Sequence, residues 1–132
     1  MAGCSGQISG TGDNEPSPEA RMAAHAASMR YPSNMRPMTD WRAAALVDRR
    51  SGAIRVINFE NRPIRDANIW VNQSFVHRVD SIPPNGYVVL SRGGFYDSAG
   101  NSLSNVNSSV TQVQIESGNN LYSLQGPVMM EQ

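Results

Sequence analysis

The sequence predicts an all-β fold: a small antiparallel β-sandwich of seven or eight strands, preceded by an extended N-terminal arm that contains one short helix. Three observations carry this. Val, Ile and aromatic residues gather in short runs between residues 43 and 125, broken by turn signals about every 8 to 12 residues, the rhythm of sandwiches and small barrels. Several runs alternate apolar and polar side chains with the period of two that places one face of a strand against a core. The first 38 residues differ in kind, being Gly, Ser, Pro and acid followed by an Ala-rich stretch, a composition with little to bury. The 132 residues and 14.4 kDa suit one domain, divided into a tether and helical arm (1–38) and a sandwich with a short C-terminal tail (39–132).

The helix is expected from residue 18 to about residue 30. Ser17 can cap it, Pro18 suits the first helical position, and Glu19 complements the positive end of the dipole. Pro32 stops it. A dozen residues are marginal as an isolated helix, so this one needs a surface to pack on.

Strands at 43–47 and 53–59 flank the turn Asp48-Arg49-Arg50-Ser51-Gly52. Ile54 and Val56 share one face; Arg55 and Ile57 take the other. After Asn61-Arg62-Pro63, residues 67–72 set Ile69 and Val71 against Trp70 and Asn72, and residues 74–79 follow a tight break. Pro83-Pro84-Asn85-Gly86 forces a turn. Residues 87–90, Tyr-Val-Val-Leu, are wholly apolar and read as a central strand. Residues 93–97 read as a short strand before the turn 98–101, and runs at 110–115 and 121–124 close as a hairpin.

Charge and composition exclude several function classes. Eleven Arg, with no Lys, balance eleven acids, which argues against nucleic acid or an anionic membrane held through a broad basic field. No apolar run approaches the roughly 18 residues of a membrane span. One Cys excludes an internal disulfide and any multi-Cys metal site. Catalysis finds no purchase: the only Cys lies in the tether, the two His are far apart in sequence, and no Gly-x-Ser-x-Gly elbow is present. His77 reads as a packed, hydrogen-bonded residue. Asp66, Asp80 and Asp97 sit at strand ends or turns, and Asp97-Ser98-Ala99-Gly100-Asn101 reads as a turn rather than a Ca2+ loop. Asn72-Gln73-Ser74 and Asn107-Ser108-Ser109 match the glycosylation sequon and read as turn and strand-edge Asn. No cofactor is expected.

Met1-Ala2-Gly3-Cys4, followed by a Gly/Ser/acid stretch, resembles the end of a bacterial lipoprotein signal, which closes with a small pair before the lipidated Cys. The charged and apolar regions that precede such a Cys are absent from the sequence. The resemblance implies acylation at Cys4, a lipid-anchored domain in the bacterial cell envelope facing the periplasm or the outside, and other envelope proteins as partners. Residues 54–58, 68–72 and 95–100 are similar in rhythm to immunoglobulin-like and carboxypeptidase-regulatory-like modules, which implies binding, spacing or assembly rather than chemistry.

All seven Met lie outside the central strands. Met22, His25 and Met29 fall at helical spacing and suit Cu(I) by ligand type, yet a Met stripe more often packs. The expected function is therefore a non-enzymatic accessory or structural subunit, gripping its neighbours through Met22, Met29, Met35, Met38, Trp41, Met129 and Met130 on arm and tail. Two alternatives differ in class. A carbohydrate- or peptide-binding module would expose Trp70 and Tyr87 on one sheet face, with Asn68 and Asn72 donating hydrogen bonds. A virion or filament decoration protein would keep Cys4 unmodified.

Overall fold

The computed structural model describes residues 17–106 and 109–130. Helix α1 (Pro18–Ser28) is followed by β1 (Ala43–Asp48), β2 (Ile54–Asn58), β3 (Ile64–Val71), β4 (Phe75–Ile82) and β5 (Tyr87–Leu90). Two 3-10 turns, Arg92–Gly94 and Leu103–Asn105, lead to β6 (Val113–Ser117), β7 (Asn120–Ser123) and β8 (Gln125–Met130). The strands form two four-stranded sheets, β5-β2-β1-β8 and β4-β3-β6-β7. This is the all-β sandwich that the alternating runs predict.

Local chemistry explains the elements. The Ser17 side chain accepts from Ala20 N at 3.1 Å, capping α1, and Pro18 occupies its first turn. The β1–β2 hairpin pairs Ala43 with Asn58 through to Val47 with Ile54, in antiparallel register. Its turn is held by Asp48, whose Oδ1 accepts from Arg50 N at 2.8 Å and Ser51 N at 3.3 Å. Those backbone hydrogen bonds hold the Asp48 carboxyl below its ordinary pKa. Every second residue of β1 and β2 is buried. The inner faces of both sheets meet around Ile54, Val56, Ile69, Val71 and Ile115, with Phe95 and Leu103 filling one end. Each large apolar side chain removed from water here contributes about 1.5–3 kcal/mol.

Three expectations are corrected. The sandwich is not wholly antiparallel, because β8 runs parallel to β1, and residues 125–130 are an edge strand rather than a tail. Between Ala44 and Leu46 the partner advances from Gln125 to Val128, one residue more than β1. The extra residue is accommodated at Gly126, whose φ is +95° and where a Cβ would lie 2.7 Å from Ala45 O. Second, β5 is an edge strand, hydrogen-bonded only to β2, and its apolar run is buried on one face only, with Tyr87 and Val89 exposed. Third, residues 93–97 form no strand. Ser91 Oγ accepts from Gly93 N at 3.1 Å and starts a 3-10 turn, after which only Tyr96 bridges to Val76 and Ser102.

Residues 17–38 lie on the second sheet. Ala26, Met29 and Tyr31 pack on Trp70, Val76 and Tyr96 over the outer face of β3 and β4. The Tyr31 ring meets Trp70 edge-on at 5.5 Å, and its hydroxyl donates to Gln114 Oε1 at 2.7 Å. His25 Nε2 lies 2.7 Å from Asn68 Oδ1. Met38 then bridges to β7, its N–H donating to Leu121 O at 2.8 Å and its carbonyl accepting from Ser123 N at 2.9 Å. The short helix thus finds the surface its length requires.

Candidate interaction surface

The two sheets differ in what covers them. On β4-β3-β6-β7 the polar side chains of the outer face are paired under or beside the arm: Gln114, 1% exposed, also donates to Ser123 Oγ at 3.1 Å, and Trp70 Nε1 donates to Glu116 Oε1 at 2.9 Å. Its edges are met as well, β4 by Tyr96 and β7 by Met38. On β5-β2-β1-β8 nothing among the described residues covers the outer face or pairs with the outer edges of β5 and β8.

That bare face is apolar. Five large hydrophobic residues are exposed among the described residues, at 45–57%: Phe59, Tyr87, Val89, Val128 and Met129. All five lie on this sheet or directly after one of its strands. The ladder places Ile57 opposite Tyr87, and Arg55 between Val89 and Leu46, with Val128 next beyond Leu46. Solvated sheets of antiparallel pairs normally alternate to a polar outer face; contiguous apolar surface on a soluble domain marks a place where something binds.

Arg55 stands in the middle of this surface. Its guanidinium carbon lies 4.7 Å from the Tyr87 ring centroid, a cation–π contact. Its Nε is the one fully buried side-chain nitrogen or oxygen among the described residues that lacks a hydrogen-bond partner. An unpaired buried donor costs about 1–3 kcal/mol, and a carboxylate reaching the exposed edge of the same guanidinium would offset part of it.

The residues singled out from sequence are dispersed. Cys4 lies outside the described residues, as does the side chain of Met130, whose backbone belongs to β8. Met22, Met29, Met35 and Met38 are half-buried, Met29 in the cluster beneath α1. Met129 is on the open sheet but pairs in register with inward-facing Val47. Trp41 is not a protruding anchor: it is half-buried, its Nε1 donates to Asn58 Oδ1 at 3.0 Å, its ring lies 5.7 Å from Tyr122, and Arg62 stacks over it at 4.2 Å.

The aromatic platform expected from Trp70 and Tyr87 is not formed. Trp70 is 3% exposed beneath the arm on one sheet, and Tyr87 is on the other. Asn72 is equally committed: its Oδ1 accepts from Thr111 N, Thr111 Oγ1 and Gln112 N at 2.8–3.1 Å, and its Nδ2 donates to Ser109 O at 2.7 Å. It ties residues 109–112 to the β3–β4 turn.

His77 packs edge-on to Phe95 at 5.1 Å, and its Nδ1–H donates to the Arg78 carbonyl at 2.7 Å. Burial lowers its pKa, the Arg78 hydrogen bond opposing and nearby His25 reinforcing the shift. Asp97 shapes its turn, accepting from Ala99 N, Asn101 N and Asn101 Nδ2 at 2.8–3.1 Å. Burial would raise its pKa, but these hydrogen bonds win and hold it below the usual value. Among the described residues no three His, Cys, Asp or Glu side chains gather as metal ligands, and no helix is long and apolar enough to cross a membrane.

Sequence reasoning missed the open face because 87–90 reads as a buried run and 125–130 as a tail. The signal was present in part: Pro83-Pro84 immediately before the run and Pro127 within the last strand both favour sheet edges. Comparison with protein-family models, curated proteins and solved structures finds no match to this chain.

Proposed function

We propose that this protein is a non-enzymatic docking subunit whose partner seats on the outer face of the β5-β2-β1-β8 sheet. The observation that carries the reading is the segregation of all five exposed large hydrophobics among the described residues to that sheet, while the arm seals the other. The occupant is a different protein rather than a second copy. A twofold contact centred on this face would set Arg55 against its own counterpart, two like charges in a desolvating interface. The fitting surface is apolar with one carboxylate opposite Arg55. Placement in the bacterial envelope, among other envelope proteins and anchored by lipid on Cys4, rests on the Ala2-Gly3-Cys4 resemblance.

The test is site-specific photo-crosslinking in the native cell, with the probe at Val89 on the open face or at Arg78, exposed on the covered sheet. The expected result is one discrete adduct with another polypeptide from position 89 and none from position 78, abolished by Leu46→Asp. Equal adducts from both positions, none from either, or an adduct of two copies of this chain would overturn it.

A further inference from the structure

A separate cavity of about 290 Å3 opens at one side of the sandwich, where the inter-sheet core comes to the surface. Its walls are core side chains and the ring pair beside them: Ile64 and Ile115, both nearly fully buried, with Trp41 and Tyr122. Its rim carries two guanidinium-bearing residues, Arg62 and Arg65, both exposed. Neither forms an ion pair among the described residues. Glu60 feels the charge of Arg62, but its carboxylate is committed to Arg42, accepting from the backbone N–H at 3.0 Å and from Nε at 3.4 Å. The Arg62 guanidinium carbon lies 4.2 Å from the centroid of the Trp41 ring, a cation–π contact that does not consume its N–H donors.

Apolar walls with a few convergent polar groups are the ordinary construction of a ligand site, and this volume lies near the lower end of such sites. It has room for one ring or branched side chain, and two unpaired cations at the mouth select an anion. From this arrangement we infer a binding site for a small carboxylate that carries one aromatic or branched apolar group, the apolar part against Trp41, Tyr122, Ile64 and Ile115 and the carboxylate on Arg62 and Arg65. A free organic acid and the C-terminal residue of a polypeptide present the same chemistry. The site is independent of the docking face, from which it shares no residue.

Tryptophan fluorescence of the full chain reads binding directly, because Trp41 lines the cavity while Trp70, the other Trp, is buried beneath the arm. The probes are phenylacetate, its neutral counterpart phenylacetamide, and N-acetyl-L-phenylalanine. Saturable quenching by phenylacetate is expected, at least tenfold tighter than by phenylacetamide, and Arg62→Gln with Arg65→Gln should abolish the difference. Tighter binding of N-acetyl-L-phenylalanine assigns the source to a chain terminus; binding of phenylacetate alone assigns it to a free acid. No saturation by either acid, equal binding of acid and amide, or a preference that survives in the double variant overturns the inference. Far-UV circular dichroism of that variant checks that the fold is intact, and since both side chains are exposed it should be.

Discussion

Tyr31 offers the sharpest test of how the arm is seated. Tyr31→Phe keeps the ring against Trp70 and removes one oxygen. That hydroxyl donates to Gln114 Oε1 at 2.7 Å, and Gln114 is 1% exposed, with its Nε2 already given to Ser123 Oγ. Removing it strands a buried carbonyl oxygen, for which the cost is about 1–3 kcal/mol rather than the net worth of one hydrogen bond. For a domain of this size each kcal/mol moves Tm by about 4 °C, so a fall of about 4–12 °C is expected. Replacing both partners with apolar groups of similar shape removes the orphan. Tyr31→Phe combined with Gln114→Leu should recover to within about 1 kcal/mol of the parent, since Ser123 is only half-buried and can turn to water. Urea denaturation of the parent, both single variants and the double variant completes the cycle. A Tyr31→Phe protein with an unchanged midpoint would refute the seating of the arm on the second sheet, and with it the asymmetry on which the docking surface depends.

Asn58→Ala should cost about 4 kcal/mol in urea denaturation at constant m-value, because this fully buried side chain donates to the Arg62 and Pro83 carbonyls and accepts from Trp41 Nε1 and Glu60 N. Gly126→Ala should cost about 2 kcal/mol or more, the new methyl meeting the Ala45 carbonyl at a left-handed φ; an unchanged Tm by calorimetry would contradict the β1–β8 pairing. His77 contributes a pH dependence whose sign follows from its lowered pKa. The unfolded chain takes up its proton near pH 6.5 while the folded chain resists, so stability is full above about pH 7 and falls as the pH drops through about 6.5 toward the folded value. Urea midpoints between pH 8 and 5 should show this slope, and His77→Asn should flatten it. Val128→Asp lies on a half-exposed edge position, so Tm should move by less than about 2 °C while the crosslink from the probe at position 89 is lost.

The parts of the fold legible in the sequence are those fixed by local chemistry. Ser17 and Pro18 announce the start of α1, Asp48 through Gly52 announce the first hairpin, and the alternation of Ile54, Arg55, Val56 and Ile57 assigns inside from outside correctly. What escaped depends on partners distant in sequence. Tyr87-Val88-Val89-Leu90 is buried on one face only because nothing among the described residues covers the outer face of its sheet, and no property of those four residues announces that. Gln125-Gly126-Pro127 reads as a break because Gly and Pro ordinarily end strands; here the backbone shift at Gly126 and the missing N–H of Pro127 are tolerated on an edge beside β1. Trp70 was legible as a large aromatic on the face opposite Ile69 and Val71, but whether that face is wet depends on the arm, about 40 residues earlier in the chain. The docking surface was hidden for the same reason: exposed apolar residues are recognised by what fails to cover them.

The order in which the two sheets draw their strands decides how the molecule responds to a cut. One sheet takes β1, β2, β5 and β8, the other β3, β4, β6 and β7, so neither sheet is built from consecutive strands alone. A nick in the 83–86 turn gives each piece two strands of each sheet. In the C-terminal piece β5 and β8 belong to opposite edges, separated by β2 and β1 of the other piece, and have no reason to meet. Neither half can bury its apolar faces alone, and the nicked protein is held together as a tight noncovalent pair that separates only when it unfolds.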